Sequence, residues 1–515
     1  MNLVILHYHL NRGGVSSVIA NHLRALQEAG VAIRVLILFG GRRTGWPESL
    51  AAELPDVDVS LGEVPELDYD EGGAPQPSQL AERLRSTLSS AGLAPDATII
   101  HAHNHALGKN VSLPGALQEL AKSGYRLLLQ IHDFAEDFRP EVYRRLKQSL
   151  APAASDSLPS MLYPQADQIH YAVLNGRDYR VLKSCGVNLE RLHLLPNPVQ
   201  GFPALPARED AREKLRQAFS IPIDSRLLVY PVRCIRRKNI GEALLWSALG
   251  GKATRVGFTL APMNVAEQPA YQRWQKLAAS LNLPVAFELG GAGGLEFLEI
   301  LAAANLILTT SVAEGFGMAF LECWLAGRAL VGRDLPEITA DFAAAGLQLD
   351  ALCPELRVPL DWFDVDLLRE RIYEAYNRVL FAYGQPRLDE ASFRQATDQL
   401  ADGGTIDFAS LDSQYQSFVI ERAGQNAAHR EQLFELNGWI DTALHSAGSR
   451  ELIEANAAVV SDQYALAPFG RKLYSLYSSL AAAPISQDVG QLSAGDQILH
   501  EFLEPKRFHP IRSET

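Results

Sequence analysis

The sequence predicts an α/β protein with two parallel, doubly wound sheets and a mostly helical C-terminal tail. Short apolar runs alternate with helical spacing over the first 200 residues, the pattern breaks at a proline-rich segment, and the alternation then restarts. Such alternation is typical of βαβ units, whose strands are parallel. A chain of 515 residues also exceeds one ordinary core, so we expect more than one domain.

The first half contains the clearer strand signals. Its strand candidates are residues 3–7, 33–38, 98–101, 126–131 and 170–173, with a weaker one at 56–61. Its helix candidates, by spacing of apolar residues, are 15–28, 79–91 and 113–123. The acidic segment 65–77 is rich in glycine and proline, which predicts an exposed loop.

The second half repeats this pattern after the segment 195–206, which is predicted as a linker. Its strand candidates are residues 226–232, 255–260, 285–288, 306–310 and 329–331. Its helix candidates are residues 240–249, 271–281 and 295–303. The predicted division is therefore one Rossmann-like domain at 1–200 and a second at 201–363. Two such Rossmann-like halves are expected to face a central cleft lined by the carboxyl ends of their strands.

The tail, residues 364–515, shows no strand signal. Its helix candidates are residues 367–382, 411–422, 428–446 and 470–482. We interpret it as helices that return across the two domains, followed by an added helical extension. This extension is the surface on which a homodimer would form.

Composition excludes several classes of protein. A hydrophobic content of 47% and no apolar run of about 20 residues indicate a soluble globular protein rather than a membrane-spanning one. The first residues predict a strand and not a signal peptide, and the four cysteines lack CxxC spacing, so we expect a cytoplasmic protein without disulfides or a zinc site. The net charge of −13 disfavours nucleic acid and anionic membranes as partners.

One motif in the second half combines two carboxylates with glycines. Glu314 follows an apolar strand candidate and precedes Gly315-Phe316-Gly317, and Glu322 falls about one turn into the next predicted helix. Glycines let backbone N–H groups approach a ligand, and a helix N-terminus attracts phosphate. One carboxylate can bind sugar hydroxyls and the other a ribose, which suits a nucleotide-sugar. The alternative is a pair of solvated surface charges.

A basic turn follows the first strand of the second half. Arg233 ends that strand candidate, and Lys238 follows five positions later. Cations placed in this way can neutralise a diphosphate leaving group. The alternative is a basic turn without function. The intervening Arg236 and Arg237 are expected to be solvated, with one of them able to assist.

The first half has its own polar residues at predicted strand ends. Gly13-Gly14 follows the first strand and allows close backbone approach, although it is equally suited to a tight turn, and Ser16 or Ser17 is predicted to cap the next helix. The dinucleotide motif GxGxxG is absent there, which disfavours an NAD-linked oxidoreductase.

Histidines and acids follow two later strand candidates of the first half, 98–101 and 126–131. His101, His103 and His105 suggest a metal site, but no partner carboxylate is evident and we predict none. His132 is predicted to donate to a sugar hydroxyl or to an acceptor, with a structural histidine as the alternative. The loop after it is polar, with Asp133, Glu136, Asp137 and Arg139, and either suits a hydrophilic acceptor or is solvated. We assign His103, Asp133 and Arg139 to acceptor binding.

Taken together, these motifs resemble a family 4-type retaining glycosyltransferase of the GT-B fold. The resemblance covers residues 1–345 and is carried by the motifs in their order: Gly13-Gly14, His132, Leu195-Pro196-Asn197, Arg233 with Lys238, and Glu314 with Glu322. It implies transfer of a hexose from an NDP-sugar with retention, by front-side attack, without a metal ion or other cofactor. A small polar acceptor is expected, of the sugar or hydroxy-acid type.

The resemblance also implies roles for individual residues. Arg233 and Lys238 would bind the diphosphate. Glu314, Glu322 and the backbone of Gly315, Phe316 and Gly317 would bind the rest of the donor, with Asn197 beside it. His132 would face the donor sugar, and the Gly13-Gly14 loop would close over the reaction centre.

The chain departs from the family pattern in places. Pro198 stands where the family usually has glycine, and residues 287–294 are richer in glycine than the expected base-binding turn, which leaves the donor base open. The basic stretch Arg144–Lys147 leaves a lipid-linked or cell-envelope acceptor as an alternative, although an ordinary surface helix explains it as well. A non-catalytic GT-B module that binds a ligand or partner is the other alternative.

Overall fold

The computed structural model describes residues 1–70, 73, 75–151, 157–397, 403–445 and 448–514. The chain forms two compact units. Unit 1 comprises Met1–Gln200, Ala382–Gly384 and Asp462–Glu504, and unit 2 comprises Gly201–Phe381, Gln385–Ser461 and Pro505–Thr515. The tail therefore contributes residues to both units. The boundaries 1–200, 201–363 and 364–515 and the cleft stay predictions.

Each unit is built around one parallel sheet. The strands are β1 (Asn2–Leu6), β2 (Ile33–Phe39), β3 (Val57–Glu63), β4 (Thr98–His103), β5 (Arg126–Ile131), β6 (Ile169–Val173), β7 (Leu192–Leu194), β8 (Arg226–Arg233), β9 (Thr254–Leu260), β10 (Val285–Ala286), β11 (Leu306–Thr309), β12 (Ala329–Arg333), β13 (Leu352–Cys353), β14 (Arg357–Pro359) and β15 (Thr405–Asp407). Unit 1 has the order β3-β2-β1-β4-β5-β6-β7, and unit 2 has β10-β9-β8-β11-β12-β13. This confirms the predicted pair of Rossmann-like sheets.

Helices connect the strands and make up most of the tail. They are α1 (Gly14–Glu28), α2 (Pro77–Ser90), α3 (Leu113–Lys122), α4 (Pro140–Leu150), α5 (Leu158–Leu162), α6 (Gly176–Ser184), α7 (Arg208–Phe219), α8 (Ile240–Gly250), α9 (Gln268–Ser280), α10 (Phe297–Ala303), α11 (Ala319–Leu325), α12 (Pro336–Ala344), α13 (Val365–Ala382), α14 (Glu390–Thr397), α15 (Ser413–Gln425), α16 (Ala427–Leu436), α17 (Gly438–His445), α18 (Arg450–Gln463), α19 (Leu466–Ala481) and α20 (Gln497–Phe502). None of those in the described ranges is both long and apolar enough to cross a membrane.

The core of unit 1 includes a helix from the tail. Leu473 and Tyr477 of α19 are buried in the same apolar cluster as Leu23 and Leu26 of α1. The two helices approach so closely that a Cβ at Gly470 would overlap the carbonyl oxygen of Ala25. This part of the tail thus completes the first domain's core.

Two sequence predictions about the tail are wrong. The pattern predicts no strand beyond residue 364, but β15 pairs antiparallel with β14. A strand of three residues is too short to show a period-2 pattern, so only its partner reveals it. The predicted helix 428–446 is two helices, because Asn437 lies between them and its side chain donates to the carbonyls of Leu433 and Arg357. Residue 446 lies outside the described residues.

The predicted exposed loop at 65–77 is also wrong in its first part. Leu67 is fully buried, and the Asn110 amide donates to the carbonyl oxygens of Glu66 and Asp68. Asp70 accepts from the backbone N–H of Val111. Residues 71, 72 and 74 of this prediction lie outside the described residues. The four cysteines are free thiols, as their spacing predicts.

Candidate functional site

In unit 2, two loops at the carboxyl edge of the sheet bring opposite charges together. Glu314 lies between β11 and α11, and Lys238 lies after β8. The Lys238 ammonium donates to Oε1 of Glu314, and Arg237 donates to Oε2 at 3.0 Å. The Ser311 hydroxyl also donates to Oε1, at 2.6 Å. The predicted cation and the predicted carboxylate are therefore in direct contact.

These contacts set the charge of Glu314. Burial alone would raise the pKa of its carboxyl group, but Lys238 and Arg237 outweigh burial and lower it to about 2. The group is consequently ionised at neutral pH. An ionised carboxylate accepts hydrogen bonds only, which suits contact with sugar hydroxyls.

The backbone of the basic loop is held by hydroxyl groups. Thr310 and Tyr230 donate to the carbonyl oxygen of Lys238, at 3.0 and 3.1 Å. The next residue, Asn239, has φ 48°, a left-handed conformation that asparagine tolerates better than most residues. Tyr230 also lies 2.6 Å from the Ser311 hydroxyl, so one tyrosine contacts both loops of the charge cluster.

A buried network extends from this loop to the tail. The Asn239 amide donates to Glu242 at 2.8 Å, and Gln416 of α15 donates to Asn239 at 3.0 Å. Arg333 binds both Glu242 and Asp407 at 2.7 Å. Burial raises the pKa of Glu242 to about 7 even though Arg333 opposes the shift. The tail elements β15 and α15 thereby fix the turn that carries Lys238.

The arginines of the basic turn correct a prediction. Arg233 is the last residue of β8, as predicted. Arg236 and Arg237 are expected to be solvated, with one of them able to assist. Both form ion pairs, Arg236 with Glu267 at 3.1 Å and Arg237 with Glu314 at 3.0 Å, so Arg237 is the one that joins the charge cluster. Arg236 and Arg237 lie in the turn beside Lys238, and this proximity in sequence is the signal that could have favoured Arg237.

The segment after Glu314 turns sharply into α11. Gly317 has φ 83°, and a Cβ there would lie 2.6 Å from the Phe320 ring. The Phe316 ring is buried against Phe342, with 5.5 Å between centroids, so its side chain anchors the loop and its backbone is the part left for a ligand. Burial raises the pKa of Glu322 to about 7, and among the described residues no cation contacts its carboxylate.

In unit 1, buried histidines gather at the carboxyl ends of neighbouring strands. His103 ends β4 and His132 follows β5, with 2.9 Å between their Nδ1 and Nε2 atoms. The His101 ring stacks on that of His103 at 4.2 Å, and His22 of α1 lies 5.5 Å from His103. His7, after β1, places its Nδ1 atom 3.4 Å from the His103 carbonyl oxygen. The histidine cluster is hereafter these five residues.

These histidines are neutral because they are dehydrated. Burial lowers the pKa of His132 to about 4 and that of His101 to about 3. His101 is hydrogen-bonded through both nitrogens, to the Tyr477 hydroxyl at 2.7 Å and to Gln130 at 2.9 Å. Neither nitrogen of His22 has a partner among the described residues.

The predicted histidine triplet is only partly brought together. His105 lies beyond the end of β4, and its Nε2 atom lies 2.8 Å from the Leu162 carbonyl oxygen. It therefore does not join His101 and His103, as expected for a residue after the strand ends. His22 takes its place, since one nitrogen each of His22, His101 and His103 lie within 4.8 Å of one another. Such a group suits a metal ion in type and spacing, and the absence of a metal stays a prediction. His22 could not be identified from the sequence as a member of this group, because it lies on a separate helix.

The loop after β5 holds the predicted acceptor-side charges. Asp133 pairs with Arg139 at 2.6 Å, and the backbone N–H groups of His132 and Asp133 both donate to Asn104. Glu136 is fully buried and accepts from the Tyr163 hydroxyl, and burial raises its pKa to about 7. Solvation, one alternative for Glu136, is therefore wrong.

The remaining predicted donor residues lie in coil or at a helix start. Gly13 precedes α1 with φ −179°, and no side chain caps this helix, so the predicted capping by Ser16 or Ser17 is wrong. Gly14 is exposed, and a Cβ there would meet nothing within 4 Å. Asn197 is buried, and its Oδ1 atom has no partner in the described part of the chain.

Two parallel sheets, each with polar groups at its carboxyl edge, define the GT-B class of fold. Sucrose-phosphate synthase from Thermosynechococcus elongatus superposes with a TM-score of 0.52 at 14% identity, over 94% of this chain and 100% of that one. HepE from Anabaena, in complex with UDP and glucose, gives a TM-score of 0.51 at 13% identity, over 93% and 100%. The predicted fold class is thereby confirmed.

Sequence similarity points the same way. The chain is 27% identical over 492 residues to the mannosylglucosyl-3-phosphoglycerate synthase of Petrotoga mobilis, covering 93% of this chain and 92% of that protein. No protein-family model matches the chain. The resemblance to glycosyltransferases is confirmed, and it extends beyond the residues 1–345 that carry the motifs.

Proposed function

We propose that this protein is a retaining glycosyltransferase that transfers a hexose from an NDP-sugar to a small polar acceptor. The observation that carries the proposal is the contact of Lys238 and Arg237 with Glu314 at the carboxyl edge of the unit 2 sheet. Two further findings support it. The Petrotoga relative is named as the synthase of a glycosylated phosphoglycerate, and the HepE structure contains UDP and glucose.

Unit 2 binds the donor in this proposal. Arg233 and Lys238 neutralise the diphosphate as negative charge develops on it, and Arg237 adds a third cation. These cations supply the positive charge that a metal ion supplies in other transferases, so we propose a reaction without a metal. Lys238 contacts Glu314, and this contact holds the ammonium in place.

The donor sugar and ribose are held by the two glutamates. Glu314 accepts hydrogen bonds from sugar hydroxyls, while the backbone N–H groups of Gly315, Phe316 and Gly317 contact the phosphate. Glu322 accepts from the ribose hydroxyls. Asn197 and the neutral imidazole of His132 lie in unit 1, and we propose that they contact the donor sugar.

The acceptor attacks from the side of the leaving group. The bond from the acceptor oxygen to the anomeric carbon forms as the bond to the phosphate oxygen breaks, and the acceptor proton passes to that phosphate oxygen. The configuration is retained, and no protein base is required. Glu314 is not a nucleophile in this scheme, because two cations and a hydroxyl already bind its oxygens.

The alternative of a lipid-linked or cell-envelope acceptor depends on the basic stretch in α4. Arg145 pairs with Asp70 at 2.7 Å, and Arg144 donates to the carbonyl of Ala382 at 3.4 Å. These cations bind groups within unit 1, which favours an ordinary surface helix. The cytoplasmic location and the identity of the donor base stay predictions.

A panel of UDP-, GDP- and ADP-linked glucose and mannose, offered with sugars and hydroxy acids, tests the proposal. We expect release of one nucleoside diphosphate with a polar acceptor, and a product whose anomeric configuration, read by NMR, equals that of the donor. Glu314→Gln should abolish most of this turnover. Lys214→Met, which removes an exposed ion pair with Glu299 in the same unit, is the matched control.

Three outcomes would contradict the proposal in different ways. Binding of a nucleotide-sugar without any turnover would favour the non-catalytic module. An inverted product would contradict retention. Turnover that appears only with lipid-linked acceptors, together with sedimentation on anionic liposomes, would favour the cell-envelope alternative.

A further inference from the structure

A tyrosine flanked by cations lies at the carboxyl edge of the unit 1 sheet. Tyr69, in the loop after β3, has the Arg42 guanidinium 5.1 Å and the Lys109 ammonium 5.3 Å from its ring centroid. The His9 ring lies 4.9 Å from the same ring. These residues come from the loops after β1, β2, β3 and β4, so four separate strands position one small site. We call it the Tyr69 cluster.

The charges around this cluster do not cancel. Arg42 pairs with Asp68, and the nearby Arg139 and Arg145 pair with Asp133 and Asp70. Lys109 differs, since no carboxylate of the described residues lies within ion-pair distance of its ammonium group. Three carboxylates thus face four cations, on a chain whose net charge is −13.

The surroundings of Lys109 indicate which charge a ligand bound to its ammonium group would carry. Burial lowers its pKa, Arg139 and Arg145 lower it further, and the carboxylates of Asp133 and Asp70 oppose the shift without cancelling it. A half-buried ammonium with more cations than carboxylates around it is stabilised by an anion more than by a neutral group. The Tyr69 hydroxyl, which has no partner among the described residues, adds a neutral donor beside it.

We propose that the Tyr69 cluster, with Lys109 as its unpaired cation, binds a phosphate or carboxylate group of the acceptor. The inference rests on the proposed function and narrows it, because it makes the acceptor an anionic small molecule. A hydrated polyanion surface would need an extended basic face, whereas this site is small and has three carboxylates among its four cations. The anion is therefore one group on a small molecule.

Isothermal titration calorimetry of the wild-type protein with inorganic phosphate and with 3-phosphoglycerate tests the anion site independently of turnover. Lys109→Met should weaken binding of 3-phosphoglycerate by about tenfold or more, because it removes a charge-assisted hydrogen bond to the anion. Lys109→Arg should restore much of it. Lys122→Met, in α3 at the opposite edge of the same sheet, should have no effect.

Paired acceptors extend the test to turnover. Glycerol against glycerol 3-phosphate, and glycerate against 3-phosphoglycerate, differ only by the phosphate. We expect kcat/KM to favour the phosphorylated member in the wild type, and Lys109→Met to reduce that ratio. If inorganic phosphate binds as tightly as 3-phosphoglycerate, the site holds free phosphate and is not part of the acceptor site.

The failures of the two proposals are distinguishable. If NDP-sugars are turned over but neutral acceptors serve as well as charged ones, and Lys109→Met is inert, the anion site is refuted while the enzyme stands. If anions bind through Lys109 but no nucleotide-sugar is ever used, the proposed function fails. A thermal unfolding midpoint equal to that of the wild type excludes misfolding of the variants.

Discussion

The charge cluster around Glu314 in unit 2 and the histidine cluster in unit 1 differ in whether their buried ionisable groups carry charge. Unit 2 buries a carboxylate and keeps it ionised, because Lys238 and Arg237 contact Glu314 directly. Unit 1 buries the histidine cluster without a paired carboxylate, and burial lowers the pKa of its imidazoles so that they are neutral. The difference shows that dehydration prevails wherever no counter-charge is supplied.

This contrast has a chemical meaning. A fixed charge suits the part of a site where charge develops, since its orientation is set before the reaction. A neutral imidazole suits the part that exchanges hydrogen bonds with hydroxyl groups, because it can donate from one nitrogen and accept at the other. The fixed charges of unit 2 thus suit the proposed diphosphate site, and the neutral imidazoles of unit 1 suit the proposed hydrogen bonds to sugar hydroxyl groups.

The largest expected effect concerns a buried ion triad. Arg333→Met leaves Glu242 and Asp407 buried without their cation, which should destabilise the protein by about 3–5 kcal/mol. Denaturant unfolding followed by tryptophan fluorescence measures it. Arg357→Met, which removes an exposed pair with Glu355, should change stability by no more than about 0.5 kcal/mol. Equal effects would show that burial does not distinguish these pairs.

Removing the cation at the candidate donor site should act on rate. Lys238→Ala should lower turnover by at least roughly tenfold with the fold intact, because it removes charge that opposes the developing diphosphate charge. Steady-state kinetics with the best donor measures it. The pKa of Glu314 should rise in the same variant, because the positive charge of Lys238, which lowers it, is lost. An unchanged rate would remove Lys238 from the site.

Acid should weaken the two units differently. The pKa values of the unit 1 histidines are lowered from 6.5, so below that pH the unfolded chain binds more protons than the folded one. Their contribution is complete above about pH 6.5 and falls as the pH decreases towards about 4. Glu314, with its pKa lowered from 4.5 to about 2, should lose its contribution only below about pH 4.5.

Hydrogen exchange followed by mass spectrometry can separate the units. Corrected for intrinsic rates, peptides from α1 and β4 should lose protection between about pH 6.5 and about pH 5, while peptides from β11 and α11 should keep it. Equal loss in both sets would mean that the histidine cluster is not the acid-sensitive part.

The smallest expected effect sharpens the account of the histidine cluster. His22 has no hydrogen bond to lose, so His22→Leu should change stability by about 1 kcal/mol or less and reduce the acid sensitivity. His101→Leu removes contacts to Tyr477 and Gln130, and should cost about 1–3 kcal/mol. Thermal unfolding of both variants checks the difference. If His22→Leu lost much more stability than this, and added metal stabilised the wild type but not the variant, the predicted absence of a metal would be contradicted.

How much of the fold and the site the sequence predicts depends on how far apart in the chain the interacting residues lie. The two sheets are predictable because buried parallel strands appear as apolar runs, and Glu314 is predictable because glycines follow it within one loop. Ser311 and Tyr230 were missed, and Arg237 could not be preferred over Arg236, since only folding brings the β8 and β11 loops together. His22, Tyr477 and the Tyr69 cluster were missed for the same reason, as each joins elements that are remote in the chain.

A crystal structure of the protein with a bound NDP-sugar tests the central claim most directly. The account predicts the diphosphate within hydrogen-bonding distance of the Lys238 ammonium and a sugar hydroxyl donating to Glu314. A nucleotide-sugar bound elsewhere, with Lys238 and Glu314 still paired and untouched by it, would contradict the account.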